Sequence, residues 1–174
     1  MPTSRRSTAP IAGLAVALGL TLTLALSGCG MINDLIGGGS VDRDESGQAT
    51  EDNENADAFT IKVGDCLNDS SIVDEEVTTI PLVTCDKEHD TEVISSVLVE
   101  DGDYPGEVAI RERADEECVA AFEDYVGFAY LDSLYDYGYY LPTAESWAGG
   151  DREILCTVWD PAGPINGTLE GAAA

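Results

Sequence analysis

Hydrophobic positions recur along this chain with three different periods, and each period marks a different kind of segment. Ile11 to Leu26 is a nearly unbroken apolar run, interrupted only by Gly13, Gly19, Thr21 and Thr23. From Gly30 to Asp57 the chain is dominated by Gly, Ser, Asn, Asp and Glu. Such a stretch buries too little apolar surface to offset its ordering entropy, and it reads as a flexible acidic tether. Phe59 to Val63 alternates apolar and polar, the period of a strand, with a turn at Gly64-Asp65. Val77 to Thr84 predicts a second strand, which Pro81 assigns to an edge or a bulge. Thr91 to Glu100, rich in β-branched residues, predicts a third.

The period then changes. Ile110, Ala114, Cys118, Ala121, Phe122 and Tyr125 recur at spacings of three and four, the stripe of an amphipathic helix ending near Gly127. Tyr130 to Leu141 carries five tyrosines, and Arg152 to Trp159 reads as the last clear strand. Gly163 to Gly171 is expected to add a short edge strand before a disordered tail at residues 172–174. The fold class is therefore α+β: a small antiparallel sheet with one main amphipathic helix. The folded domain runs over residues 58–171, long enough for a single core.

The leading apolar run follows Arg5 and Arg6 and closes on Leu26-Ser27-Gly28-Cys29. A basic start, a short apolar stretch and a small-residue cleavage site make a secretory signal peptide, here residues 1–28. The run falls short of the ~20 residues that span a bilayer. The four closing residues resemble a bacterial lipobox, in which the Cys29 sulfur takes a diacylglycerol. Two acyl chains suffice for stable anchoring, at ~0.8 kcal/mol for each buried methylene. Residues 29–57 then form the lipidated cysteine and its tether, and the domain stands on the extracytoplasmic face of the cell membrane.

Charge narrows the functional classes. The chain carries 34 acids against 8 bases, a net charge of −26. The leader holds two of those bases and no acid, so its removal takes the charge to −28. Nucleic acid is excluded as a partner, because its phosphates need cationic side chains. Asp42, Asp44, Ser46 and Gly47 resemble the first half of a calcium loop, but Asn53 stands where the closing Glu belongs. That likeness reads as coincidence in an acidic segment, and no metal or cofactor is expected.

Four cysteines remain beside Cys29: Cys66, Cys85, Cys118 and Cys156. An even count in an exported domain implies two disulfides, and no pair has the close spacing of a zinc site. Three pairings are open. Cys66–Cys85 with Cys118–Cys156 is favoured, because it staples each half to itself. By loop entropy these bonds contribute about 3 and about 4 kcal/mol.

Candidate chemistry is sparse. His89, the single histidine, is surrounded by Asp86, Asp90 and Glu92. It could serve as a general base or a pH-sensitive group, but no activated nucleophile accompanies it. The competing reading is a turn residue bonded to backbone or carboxylate. Arg152 offers a planar fork suited to carboxylate or phosphate, against a structural reading in which it braces Asp65 or Asp151. Trp147 could stack a sugar; otherwise it and Trp159 belong to the core. Tyr137 and Tyr139, in the tyrosine cluster, could present a binding surface.

Several motifs now form an ordered set: Val63-Gly64-Asp65-Cys66-Leu67, Cys85, His89-Asp90, Glu92-Val93 and Tyr104-Pro105-Gly106. The helix with Cys118 and Phe122 follows, then Trp147, Gly150-Asp151-Arg152, Cys156 and Gly167-Thr168-Leu169-Glu170-Gly171. This set resembles the septum-formation family of actinobacterial envelope proteins, whose domain follows a lipoprotein signal or a membrane helix. One departure is Gly-Thr-Leu where the family would have Gly-Ser-Leu. The resemblance implies a role near division or envelope assembly, and it implies no reaction and no catalytic residues. The expected function is a non-enzymatic, lipid-anchored binding or scaffolding module that contacts another envelope or division protein, or a cell-wall polymer. An envelope hydrolase built on His89 and nearby carboxylates, and a divalent-cation module, are the alternatives.

Overall fold

The computed structural model describes residues 39–72 and 77–174; the expected signal peptide and lipobox, with Cys29, lie outside the described residues. Within them the backbone forms β1 (Asn53–Asp57), β2 (Cys66–Leu67), β3 (Thr79–Val83), β4 (Thr91–Leu98), α1 (Glu107–Val126), β5 (Asp136–Tyr140), α2 (Ala144–Ala148) and β6 (Glu153–Trp159). The strands make one antiparallel sheet in the order β1-β3-β2-β4-β6-β5. This is the expected α+β class, with both favoured disulfides, Cys66–Cys85 and Cys118–Cys156, in place.

The helical stripe sets the first core. Ile110, Ala114, Cys118, Phe122 and Val126 are all buried against Ile94, Ile154, Cys156 and Val158 of β4 and β6. Cys118 lies on that stripe, and its disulfide crosses from helix to sheet inside the core. α1 ends where expected. Gly127 takes a left-handed conformation (φ 75°) and donates to the Glu123 carbonyl, a conformation that a Cβ would strain.

Alternation along β6 sets the second core. Leu155 points opposite to Ile154 and Cys156, into a cluster with Ala56, Ile61, Leu67, Ile80, Leu82 and Val93. Pro81 explains why β2 is only two residues long. Asn68 donates to the Pro81 carbonyl at 2.9 Å, but proline has no N–H to return the bond, and the ladder stops. On the other side of β3, a bulge in β1 between Asn53 and Ala56 lies across from Ile80–Leu82, so Pro81 sits opposite an irregularity as expected.

The polar segment expected to be a tether is structured from residue 39 onward. Gly39 pairs with Ala56, Arg43 pairs with Ala49, and β1 joins the sheet. The cause is a long-range ion pair that composition does not reveal. The Arg43 guanidinium donates to both oxygens of buried Asp65 at 2.6 and 2.7 Å and to the Thr60 carbonyl at 2.8 Å. Lys62 N–H donates to the same carboxylate at 2.8 Å. Removing Arg43 would leave the buried Asp65 carboxylate without its cation. The segment is therefore part of the domain.

Three other expectations need correction. Phe59 to Val63 is not a strand: Ala58–Thr60 is a 3-10 turn, capped by the Asp57 carboxylate on Phe59 N–H, and only Ile61 of its apolar positions is buried. Gly163 to Gly171 is not an edge strand: its one bridge is His89 to Ile165. Residues 172–174 are not free: Ala173 N–H donates to the Val126 carbonyl at 2.9 Å, and Ser133 Oγ donates to the Ala174 carbonyl at 2.6 Å.

Candidate functional site

His89 sits just before β4 and is fully buried. Its Nδ1 lies 2.8 Å from the Lys87 carbonyl, which can only accept, so Nδ1 carries a proton. Its Nε2 lies 3.2 Å from Glu92 Oε1. Glu92 in turn accepts from Tyr125 Oη at 2.8 Å, from Thr168 Oγ1 at 3.3 Å and from Leu169 N–H at 3.1 Å. A carboxylate serving that many donors is ionised, so the bond to Nε2 needs a second ring proton. The arrangement is a buried imidazolium–carboxylate pair clasping β4, α1 and the 165–171 segment.

The electrostatics agree. Burial pulls the His89 pKa down, but the Glu92 hydrogen bond, the Lys87 carbonyl and the charges of Glu92 and Asp90 outweigh it and leave it above 6.5. Burial pushes Glu92 up, and its bonds from His89, Tyr125 and Leu169 leave it below 4.5. Burial also pushes Tyr125 well above its ordinary value. His89 is thus enclosed and bonded on both nitrogens, as its structural reading requires.

The tyrosines pack along α1. Tyr137 Oη donates to Asp115 at 3.2 Å, and burial with the Asp115 charge pushes its pKa up to about 12. Arg111 donates to Tyr139 Oη at 3.4 Å. Tyr130 meets Phe122 and Tyr137 edge-on, with centroids 5.4 and 4.8 Å apart. Most of each ring therefore contributes to packing, with the hydroxyls at the rim.

Trp147 is held by α2, whose start is fixed by a reciprocal cap between Thr143 and Ser146. Its indole N–H donates to the Gly102 carbonyl at 3.0 Å, Tyr104 packs on its edge, and the Arg152 guanidinium lies 3.8 Å from its ring centroid. Arg152 occupies the face that a sugar would need, so Trp147 is a core residue. Trp159, also expected in the core, is 38% exposed at the end of β6. Asp65 is held by Arg43, so it does not brace Arg152. Arg152 bonds Asp101 at 3.1 Å and the Trp147 and Asp151 carbonyls at 2.7 and 2.6 Å. The Asp151 carboxylate instead accepts from Ser146 Oγ at 2.8 Å and Glu153 N–H at 3.0 Å.

Beside this stack lies an open cleft of about 470 Å³, lined by Phe59, Leu98, Ser146, Asp151, Arg152 and Glu153 among others. Phe59, in the 3-10 turn, and Leu98, at the end of β4, are exposed apolar side chains. The remaining guanidinium nitrogen, Nη2 of Arg152, has no hydrogen-bond partner among the described residues. The cleft sets two apolar side chains beside one cation and two carboxylates.

A protein-family model described as septum formation matches residues 62–171. The chain belongs to the septum-formation family. No match was found among curated proteins or among solved structures. The motifs that carry the family resemblance converge in the septum-formation domain on three clasps. Asp65 takes Arg43; His89 and Glu92 take Thr168 and Leu169; Tyr104, Trp147 and Arg152 stack. Sequence reasoning missed Arg43, whose only signal is a lone cation among acids, and it missed Phe59 and Leu98 as cleft walls. Among the described residues no helix is long and apolar enough to cross a membrane, and no group of three His, Cys, Asp or Glu side chains is gathered to hold a metal.

Proposed function

We propose that this chain is a non-enzymatic, lipid-anchored binding or scaffolding module on the extracytoplasmic face of the cell membrane. It works in septum formation by contacting another envelope or division protein, or a cell-wall polymer. The observation that carries the reading is the enclosure of His89. The only histidine has no exposed atom and spends both nitrogens on the protein's own carbonyl and carboxylate. A general base has to reach the proton it abstracts. What the domain turns outward is a cleft with apolar walls on a strongly acidic body, which suits recognition. The lipobox at Cys29 and the paired cysteines support export, since disulfides persist in oxidising compartments.

The test is complementation of host cells lacking the chain, with septum spacing read by fluorescent wall labelling. Cys29→Ala is expected to leave the domain folded, to lose lipid anchoring and to fail to restore septa. Phe59→Asp with Leu98→Asp, both at exposed positions, is expected to stay anchored and folded yet fail as well. Normal septa with either variant overturn the reading to which that variant belongs.

A further inference from the structure

The two edges of the sheet are treated differently. At one edge, β1 is bulged and covered: Gly39 N–H donates to the Asn55 carbonyl, and Asp57 N–H donates to the Gly39 carbonyl. At the other, β5 reads Asp-Tyr-Gly-Tyr-Tyr, with no lysine, no proline and an unbroken register on β6. Proteins normally blunt a free edge with such devices, because its unpaired backbone groups template another strand.

The outward groups can be assigned. Tyr137 N–H bonds the Asp136 carboxylate at 2.9 Å instead of β6. The backbone groups of Tyr137 and Tyr139 therefore face away from β6, and those of residues 136, 138 and 140 face it. Among the described residues nothing accepts the Tyr139 N–H or donates to the Tyr137 and Tyr139 carbonyls. Beside this edge stand Leu131, 92% exposed, and Leu134, 74% exposed, around a cavity of about 310 Å³ that reaches Pro161. These are the two most exposed large apolar side chains of the described residues.

Charge selects the occupant. Asp132, Asp136, Asp160 and Asp115 surround the edge, and the nearest cation, Arg111, is already paired with Glu107 at 2.7 Å. A second copy would bring the same acids and the same strong net negative charge against itself. We propose that the outer edge of β5, with Leu131 and Leu134 beside it, docks an extended segment of a partner protein in which Lys or Arg alternates with apolar residues, added to the sheet as a further strand. Main-chain bonds to Tyr137 and Tyr139 supply affinity, the leucines supply the anchor, and the acids select sign. This deepens the binding-module reading and rests on it.

The test uses the full chain in detergent and a synthetic peptide of about eight residues alternating Val and Lys, enough to span β5. Amide exchange locates the bound peptide. Tyr139 N–H is expected to slow while β1 amides are unaffected. A peptide of the same charge with Pro in place of alternate Val is expected not to bind. Leu131→Asp with Leu134→Asp is expected to weaken the Val-Lys peptide about tenfold or more. Those substitutions add negative charge, so a loss cannot come from charge alone, and both sites are exposed, so folding is unaffected. Equal binding of the Pro peptide, or no saturable binding, overturns the proposal. Slowing at the Arg152 cleft instead also removes β5, and leaves the binding-module reading standing.

Discussion

At the residue scale, His89 and Glu92 couple the stability of the domain to pH. The ordinary values of these side chains, taken for the unfolded chain, are 6.5 and 4.5. The folded His89 value lies higher, so its contribution is fully present below about pH 6.5 and is lost as pH rises through the folded value. The folded Glu92 value lies lower, so its contribution is present above about pH 4.5 and is lost as pH falls through the folded value. The pair is intact between those limits. Glu92→Gln keeps the shape and removes the charge. Its melting temperature is expected to fall furthest below that of the unsubstituted protein near pH 6, with the gap narrowing as His89 deprotonates. A gap that stays constant from about pH 5 to about pH 9 contradicts the imidazolium assignment. The acids around His89 are plain in the sequence. Its enclosure is not, because the donors that close over Glu92 come from Tyr125, Thr168 and Leu169, far along the chain.

At the element scale, local period carried the reading where an element buries one regular face. α1 is legible because Ile110, Ala114, Cys118 and Phe122 repeat on one stripe. β4 and β6 are legible because they are rich in β-branched and other apolar residues. Residues 39–57 are illegible because distant partners order them: Asp65 holds Arg43, β3 pairs with β1, and the second core takes Ala56. Phe59 to Val63 misleads by alternation: two of its three apolar side chains end at the surface. The disulfides differ in the same physical way. Cys118 and Cys156 are both fully buried between α1 and β6, whereas Cys85 lies in a half-buried loop. Reductant acting on the folded protein is expected to open Cys66–Cys85 first, and Cys118–Cys156 only when the domain unfolds. Differential alkylation with mass spectrometry reads the order. Equal labelling of Cys85 and Cys118 under native conditions contradicts it. By loop closure the longer bond contributes about 4 kcal/mol, so its loss is the one that threatens the fold.

At the scale of the whole molecule, an acidic body with one covered and one open sheet edge is suited to standing off an anionic membrane while engaging a basic partner. Like charges repel from such a surface within a Debye length of ~8 Å. That picture requires the domain to be exported, oxidised and held by lipid. The most direct measurement is mass spectrometry of the chain isolated from host membranes, without reduction. The account predicts a mature protein beginning at a diacylglyceryl-modified Cys29, with Cys66 joined to Cys85 and Cys118 joined to Cys156. An unmodified Cys29 in a cytosolic pool, with the other four cysteines as free thiols, would contradict it.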